Sequence, residues 1–294
     1  MPSYKTHSIH GEVVFQKIPK QIDIELEDYK LYCIGPDSLI LTDYKTSSFQ
    51  HANKTREYFL YLIKTIKKKG LQNNKEVMAF LYGQLNHFVL DSVMHPLIYY
   101  MTANIEYDYK IKPHGLIETW IDDYTTRKYN KKQMLYYKKW FIKNKILKRL
   151  INDVYREVYG IKRAVLKYNI GSFSIVMFDL LARTNAIKIT PLIIKQMNLG
   201  DFTYKKDLNR VLPYLNLDNC EWLNPETGEK CCSSFEDLWK KSLEVAEETI
   251  ADVNRYLYQD EELTNELILN DISWNTGLSC EQGQTLKFAK KYSN

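Results

Sequence analysis

The six histidines of this chain lie within the first 114 residues, and the remaining 180 residues contain none. They are His7, His10, His51, His87, His95 and His114. Random placement would confine all six to that segment with a probability on the order of a few in a thousand. Imidazole is the commonest side-chain ligand of metal ions in proteins, so the clustering indicates a metal site.

Two of these histidines precede a carboxylate by four residues. His87 and Asp91 form one pair, and His114 and Glu118 form the other, with His95 between them. Residues four apart lie on one face of an α-helix, so each pair can present an imidazole and a carboxylate together. One such pair is weak evidence, because these contacts are common on helix surfaces. Two pairs with nitrogen and oxygen ligands favour a catalytic zinc site over an all-cysteine structural site.

Long segments of the chain carry apolar residues at intervals of three and four, a pattern typical of helices. The sequence therefore predicts an all-α fold, a multi-helix bundle that forms a single domain over residues 1–294. Gly70 follows the lysine-rich end of the first long helix, and Ser233 with Glu236 forms a capping-box pattern before the last. The predicted helices span 48–69, 75–100, 114–129, 131–160, 172–182 and 234–258.

Composition restricts the class of ligand and the location. The net charge of +5 and an isoelectric point near 8.7 favour anionic ligands such as phosphates, but they are modest for a dedicated nucleic-acid-binding protein. The first twenty residues lack the apolar stretch of a secretion signal, and no later segment offers about eighteen apolar residues in a row. We therefore expect a cytoplasmic protein, and its five irregularly spaced cysteines are typical of reduced thiols.

The order of the candidate ligands resembles that of the bacterial zinc-dependent phospholipases C. The shared positions are His7, Gly35-Pro36-Asp37, His51, His87-x-x-x-Asp91, His95 and His114-x-x-x-Glu118. The related single-strand-specific zinc nucleases of fungi and plants show the same order but end in an aspartate. The resemblance covers roughly the first 125 residues, and it implies that this segment builds the metal site of a helical domain.

The resemblance also implies which residues hold two to three zinc ions. It assigns the first ion to Asp37, His51, His87 and Asp91, the second to His95, His114 and Glu118, and the third to Asp91 and His7. Asp91 thereby bridges two ions, because a carboxylate has two oxygens. Such clusters clamp the attacking and leaving oxygens in phosphoryl chemistry.

The sequence leaves several alternatives for the remaining ligand of the third ion. In secreted relatives the mature N-terminal amine completes this ion's shell. In this chain the alternatives are the amine of Pro2 after methionine removal, the amine of Met1, or His10. We favour a role for His10 other than metal binding.

The chemistry implied by the resemblance is hydrolysis of phosphate esters by a zinc-bound hydroxide, since zinc lowers the pKa of its bound water to about 7. Asp37 is both a ligand and the candidate catalytic proton acceptor. Its alternative role is a helix N-cap after Gly35-Pro36. Asp122, one turn beyond Glu118, either orients a ligand histidine or faces solvent.

A basic segment follows the motifs. Residues 127–149 contain ten Lys or Arg and no acid, interleaved with aromatic residues. This composition fits a solvated helix with core aromatics, a surface for peripheral contact with an anionic membrane, or a track for single-stranded nucleic acid. The expected substrate is a phospholipid headgroup or another phosphodiester, with nucleic acid less favoured. A non-catalytic zinc-binding or lipid-surface module is the alternative to an enzyme.

Overall fold

The computed structural model describes residues 4–18, 21–102, 113–129, 141–183, 211–282 and 286–289. Ten α-helices form most of the regular structure in this part of the chain. They are α1 (Tyr4–Phe15), α2 (Leu26–Tyr32), α3 (Tyr44–Ala52), α4 (Thr55–Lys68), α5 (Lys75–Thr102), α6 (Pro113–Lys128), α7 (Lys145–Tyr159), α8 (Ala164–Arg183), α9 (Phe235–Tyr258) and α10 (Glu266–Leu269). Short 3-10 segments span Gly35–Leu39, Leu71–Asn73, Leu212–Tyr214 and Cys280–Gln282, and an antiparallel hairpin pairs β1 (Trp222–Leu223) with β2 (Lys230–Cys231).

The all-α fold predicted from the sequence is confirmed, with differences at several helix ends. The segment 48–69 forms two helices, because Lys54 between α3 and α4 has a left-handed backbone with φ 60°. Helix α7 begins only at Lys145, where the side chain of Asn144 accepts hydrogen bonds from the backbone of Ile146 and Leu147. Residues 131–140, the first part of the predicted 131–160 helix, lie outside the described residues. Helix α8 begins at Ala164, eight residues before the predicted start at 172.

The cap of helix α9 is shifted by one residue from the prediction. Ser234 and Asp237 form the capping box, whereas Ser233 and Glu236 do not. This register makes Phe235 the first helical residue and buries its ring. The carbonyl of Ser233 instead accepts a hydrogen bond from the indole of Trp222 at 3.0 Å. The capping interaction was therefore predicted correctly in kind but not in position.

Helix α5 is the central element of the fold. It is 28 residues long, and most of its residues are buried around the whole circumference. Such a pattern is typical of a helix enclosed by others, and helices α1, α2, α6 and α9 all pack against it. Its central residues are therefore positioned inside the protein. In the described part of the chain, no helix combines the length and the apolar character that crossing a bilayer requires.

Candidate metal centre

All eight side chains that the family resemblance assigned to the metal site lie together inside the protein. Seven are buried, and His114 has 29% of its side chain exposed. They project from α1 (His7), the Gly35–Leu39 segment (Asp37), α3 (His51), α5 (His87, Asp91 and His95) and α6 (His114 and Glu118). Ligand atoms within 4.8 Å of one another define three sets, namely His7-His87-Asp91, Asp37-His51-His87 and His95-His114-Glu118.

Asp91 lies at the junction of these sets. Its Oδ2 atom is 3.1 Å from Nε2 of His87 and 3.4 Å from Nε2 of His51. Its Oδ1 atom is 3.2 Å from Nε2 of His7 and 3.8 Å from Nε2 of His95. Each carboxylate oxygen thus faces two imidazoles, an arrangement suited to a carboxylate that bridges two cations.

The other two acids complete the cluster on opposite sides. Oδ1 of Asp37 is 3.2 Å from Nε2 of His51 and 3.9 Å from Nε2 of His87. Oε1 of Glu118 is 2.8 Å from Nε2 of His114 and 3.7 Å from Nε2 of His95. His114 is the most exposed member, so the cluster opens towards solvent on its side.

Backbone carbonyls fix the orientation of three of the imidazoles. Nδ1 of His51 lies 2.7 Å from the Ser47 carbonyl, and Nδ1 of His87 lies 2.9 Å from the Cys33 carbonyl. Nδ1 of His95 lies 2.8 Å from the Trp274 carbonyl. Because a carbonyl can only accept, each neutral ring carries its proton on Nδ1 and leaves a lone pair on Nε2. Metal-binding histidines are typically oriented in this way.

Several atoms that face the centre of the cluster lack hydrogen bonds within the described residues. They are both oxygens of Asp91, Oδ1 of Asp37, Nε2 of His95 and Nε2 of His7. A buried polar atom without a partner costs about 1 to 3 kcal/mol and more when it is charged. Cations at the centre would satisfy these atoms, and imidazole nitrogen with carboxylate oxygen is the ligand chemistry of catalytic zinc. The residues therefore fit zinc.

Burial and charge set the protonation of the cluster. Burial lowers the pKa of His7 to about 4 and that of His95 to about 3, so both rings are neutral at pH 7. His51 differs, because the carboxylates of Asp37 and Asp91 outweigh its burial and raise its pKa to about 9. The neighbouring imidazoles hold the pKa of Asp91 well below its usual value despite complete burial. Asp91 is thus ionised throughout the physiological range.

A tight turn brings Asp37 to the cluster. Gly35 has φ 60°, and a Cβ atom at this position would lie 2.4 Å from Cγ of His87. Only glycine allows the backbone to pass this close to the imidazole in a left-handed conformation. The carboxylate of Asp37 points at His51 and His87, and the structure records no side-chain cap at this 3-10 segment.

Helix α8 holds this turn from the other side. The hydroxyl of Tyr168 donates to the carbonyl of Gly35, and the hydroxyls of Ser172 and Ser38 lie 3.1 Å apart. At Gly171 a Cβ atom would collide with the Ser38 carbonyl, so helix and turn are in direct backbone contact. The inner face of α8 therefore determines where Asp37 lies.

Trp274 supports the cluster from a distant part of the sequence. Its carbonyl accepts from His95, and its amide donates to the His51 carbonyl at 2.9 Å. Its indole N–H donates to Thr55 at 2.8 Å, and its ring centroid lies 5.5 Å from that of His51. Sequence reasoning missed this residue, because a backbone carbonyl that orients a histidine has no signature in the side-chain pattern.

Asp122 is buried, which excludes the solvent-facing alternative considered for it. Its Oδ1 atom accepts from the amide of Thr6 at 2.8 Å and from the hydroxyl of Thr6 at 2.7 Å. Oδ2 accepts from the amide of Lys5 at 3.4 Å. Asp122 thus fixes the start of α1, one turn before His7.

His10 has a structural role, because both nitrogens of its ring contact polar side chains of other helices. Nδ1 is 2.8 Å from Oδ1 of Asn86, and Nε2 is 2.9 Å from the hydroxyl of Ser242. Both ring nitrogens are therefore occupied, which agrees with a role other than metal binding. The alternative ligands of the third ion, the amines of Met1 and Pro2, lie outside the described residues.

Comparison with known proteins agrees with this geometry. The family model described as zinc-dependent phospholipase C matches residues 6–164, more than half of the chain and all eight residues of the cluster. No curated protein and no solved structure matches the chain. The chain belongs to the zinc-dependent phospholipase C family.

Proposed function

We propose that this protein is a zinc-dependent hydrolase of phosphodiesters that holds two to three zinc ions in the cluster around Asp91. The observation that carries the proposal is the convergence of five imidazoles and three carboxylates with unsatisfied buried atoms at their centre. Membership of the zinc-dependent phospholipase C family supports the same function. A phosphate-ester lipid is accordingly the first substrate class to test.

The distances suggest how the ions are shared. Asp37, His51, His87 and Oδ2 of Asp91 would hold the first ion, and His95, His114 and Glu118 the second. Oδ1 of Asp91 with Nε2 of His7, 3.2 Å apart, would hold the third. The assignment of the first two ions uses every Nε2 atom that the backbone carbonyls orient towards the centre.

The residues of the chain have separate roles in this proposal. Bound zinc supplies Lewis acidity, which makes water a stronger acid and neutralises charge on a phosphate. Asp37 would accept the proton of the attacking water, for which it must be ionised; His87 and His51 lower its pKa against the effect of burial and so keep it ionised. The half-buried His114 marks the side from which the substrate enters.

Parallel turnover assays test the proposal. A soluble bis-aryl phosphate, a phosphatidylcholine analogue and single-stranded DNA are offered to the zinc-loaded protein and to metal-stripped protein. We expect zinc-dependent hydrolysis of the bis-aryl phosphate and of the lipid analogue. Hydrolysis of DNA alone would favour the nuclease-like alternative over a phospholipase. Absence of turnover with all three substrates would contradict an enzymatic function and leave a non-catalytic zinc-binding module.

A further inference from the structure

The outer face of helix α8 carries an exposed apolar stripe. Leu166 and Ile170 are 53% and 47% exposed, and the exposed Phe173 follows one turn later. The spacing of four and three residues places them in one row along the helix. The exposed ring of Phe141 stacks on Phe173 with centroids 6.1 Å apart, which widens the stripe. Contiguous apolar surface of this kind on a folded protein marks an interaction site.

This stripe lies on the helix that positions Asp37. The inner face of α8 contacts the Gly35–Leu39 segment through Tyr168, Gly171 and Ser172. Next to Leu166, the ammonium of Lys167 lies 2.5 Å from the carboxylate of Asp43. Asp43 precedes Tyr44, another exposed large side chain. The apolar surface and the metal centre are thus on opposite sides of one helix, about 10 Å in diameter.

The stripe is accompanied by positive charge. Residues 141–175 contain eight Lys or Arg and two acids, Asp153 and Glu157. Among the basic residues Lys143, Lys145, Lys162 and Arg163 are exposed. Apolar side chains flanked by cations are the pattern of surfaces that bind anionic lipid, because insertion and electrostatic attraction act together. A surface for another soluble protein does not require this excess of one charge.

We propose that the docking face, defined as Leu166, Ile170, Phe173, Phe141 and their flanking cations, binds the surface of a membrane containing anionic phospholipid. The apolar side chains insert at the level of the headgroups while the cations contact lipid phosphates. The Gly35–Leu39 segment then lies about one helix diameter behind the lipid surface. This inference rests on the proposed function, because it assigns the site a substrate presented by a membrane.

Binding of the zinc-loaded protein to vesicles, measured at low temperature and short times so that turnover is negligible, tests the docking face. The probes are vesicles of phosphatidylcholine alone and vesicles that also contain phosphatidylglycerol. We expect binding to the anionic vesicles that weakens as salt is raised. The double variant Leu166→Ser/Ile170→Ser should bind about tenfold more weakly, because it removes apolar area from the inserted face.

The chain offers a matched control for the variant. Leu212 and Leu217 are 41% and 42% exposed and lie outside the docking face, so Leu212→Ser/Leu217→Ser should bind like the wild type. Equal binding by both variants, or no binding of wild type to either vesicle, would overturn the inference. A wild-type dimer that becomes monomeric only in the docking-face variant would also overturn it and identify a second copy as the occupant.

Turnover of the soluble bis-aryl phosphate separates this inference from the proposed function. We expect both double variants to hydrolyse it like the wild type. Soluble turnover without vesicle binding would overturn the docking face alone. Vesicle binding without any zinc-dependent turnover would overturn the proposed function while supporting the docking face.

Discussion

At the residue scale, Asp91 has the most demanding environment in the cluster. It is a fully buried carboxylate facing four imidazoles, and both its oxygens lack hydrogen bonds within the described residues. Burial of a charge is costly unless partners compensate for it. The i,i+4 spacing of His87, Asp91 and His95 was visible in the sequence. It predicted a shared helix face, whereas the grouping of Asp91 with His7 and His51, which are distant in sequence, was implied only by the family resemblance.

Gly35 provides a test of the close contact between the turn and His87. Gly35→Ala should destabilise the protein by about 2 to 4 kcal/mol, because left-handed alanine is strained and its Cβ displaces the imidazole. Zinc binding should weaken with it. Gly70→Ala is the matched control, since Gly70 has φ 63° and a Cβ atom added there would meet no other atom within 4 Å. Thermal unfolding and zinc titration would measure both effects, and equal behaviour of the two variants would contradict the contact.

His51 predicts a pH dependence of zinc binding. Its raised pKa, about 9, means that the metal-free protein carries a proton there at pH 6, and a ligand nitrogen must lose that proton. His7 and His95 have lowered pKa values, so their rings are already neutral at pH 6 and release no proton when zinc binds. Zinc binding at pH 6 should release about one proton from His51, and affinity should rise with pH towards 9. Calorimetry in buffers of different ionisation enthalpy counts the protons, and zero release would contradict the prediction.

At the element scale, helix α1 depends on α6 for its position. Asp122→Asn should weaken the hydrogen bonds to Thr6 and Lys5, cost about 1.5 to 3 kcal/mol, and lower the zinc content by the ion assigned to His7. Asp252→Asn is the control, because Asp252 accepts from the amides of Thr264 and Asn265 at the start of α10 in the same way. It should lose stability but keep its zinc. Loss of zinc from both variants alike would contradict a specific role for Asp122.

The loop that contains Trp274 positions His95 and His51 through backbone hydrogen bonds. Trp274→Phe keeps an aromatic ring but loses the hydrogen bond to Thr55, about 1 kcal/mol. The carbonyl that orients His95 should become less well fixed, and zinc affinity should fall several-fold. Trp222→Phe loses an equivalent indole hydrogen bond, to the Ser233 carbonyl, and should leave zinc affinity unchanged. Chelator competition measures both, and equal affinities would show that the loop does not position the ligands.

Sequence periodicity predicted helices α5, α6 and α9 to within a few residues at each end, because apolar residues recur at intervals of three and four along most of their length. Helix α1 was not predicted, because its buried residues include the polar side chains of Lys5, Thr6, Ser8 and His10. The break at Lys54 was missed as well, because lysine is rarely left-handed and gives no breaker signal.

At the scale of the whole molecule, the candidate metal centre brings together residues from distant parts of the described chain. The eight candidate ligands lie between His7 and Glu118, while Trp274 adds a support from beyond the family match over residues 6–164. The order of the candidate ligands could be recognised, because the sequence specifies the type of each side chain directly. The supporting contacts could not, because they depend on backbone atoms and on how distant helices pack.

Metal analysis of the purified protein and of Asp91→Asn tests the central claim most directly. An amide cannot bridge two cations as a carboxylate does, so one substitution should affect two ions. We expect about two to three zinc ions per wild-type chain and a loss of at least one in the variant, with the helical content of both unchanged. A wild-type protein without zinc after zinc reconstitution, or a variant with the full complement, would contradict a metal centre built around Asp91.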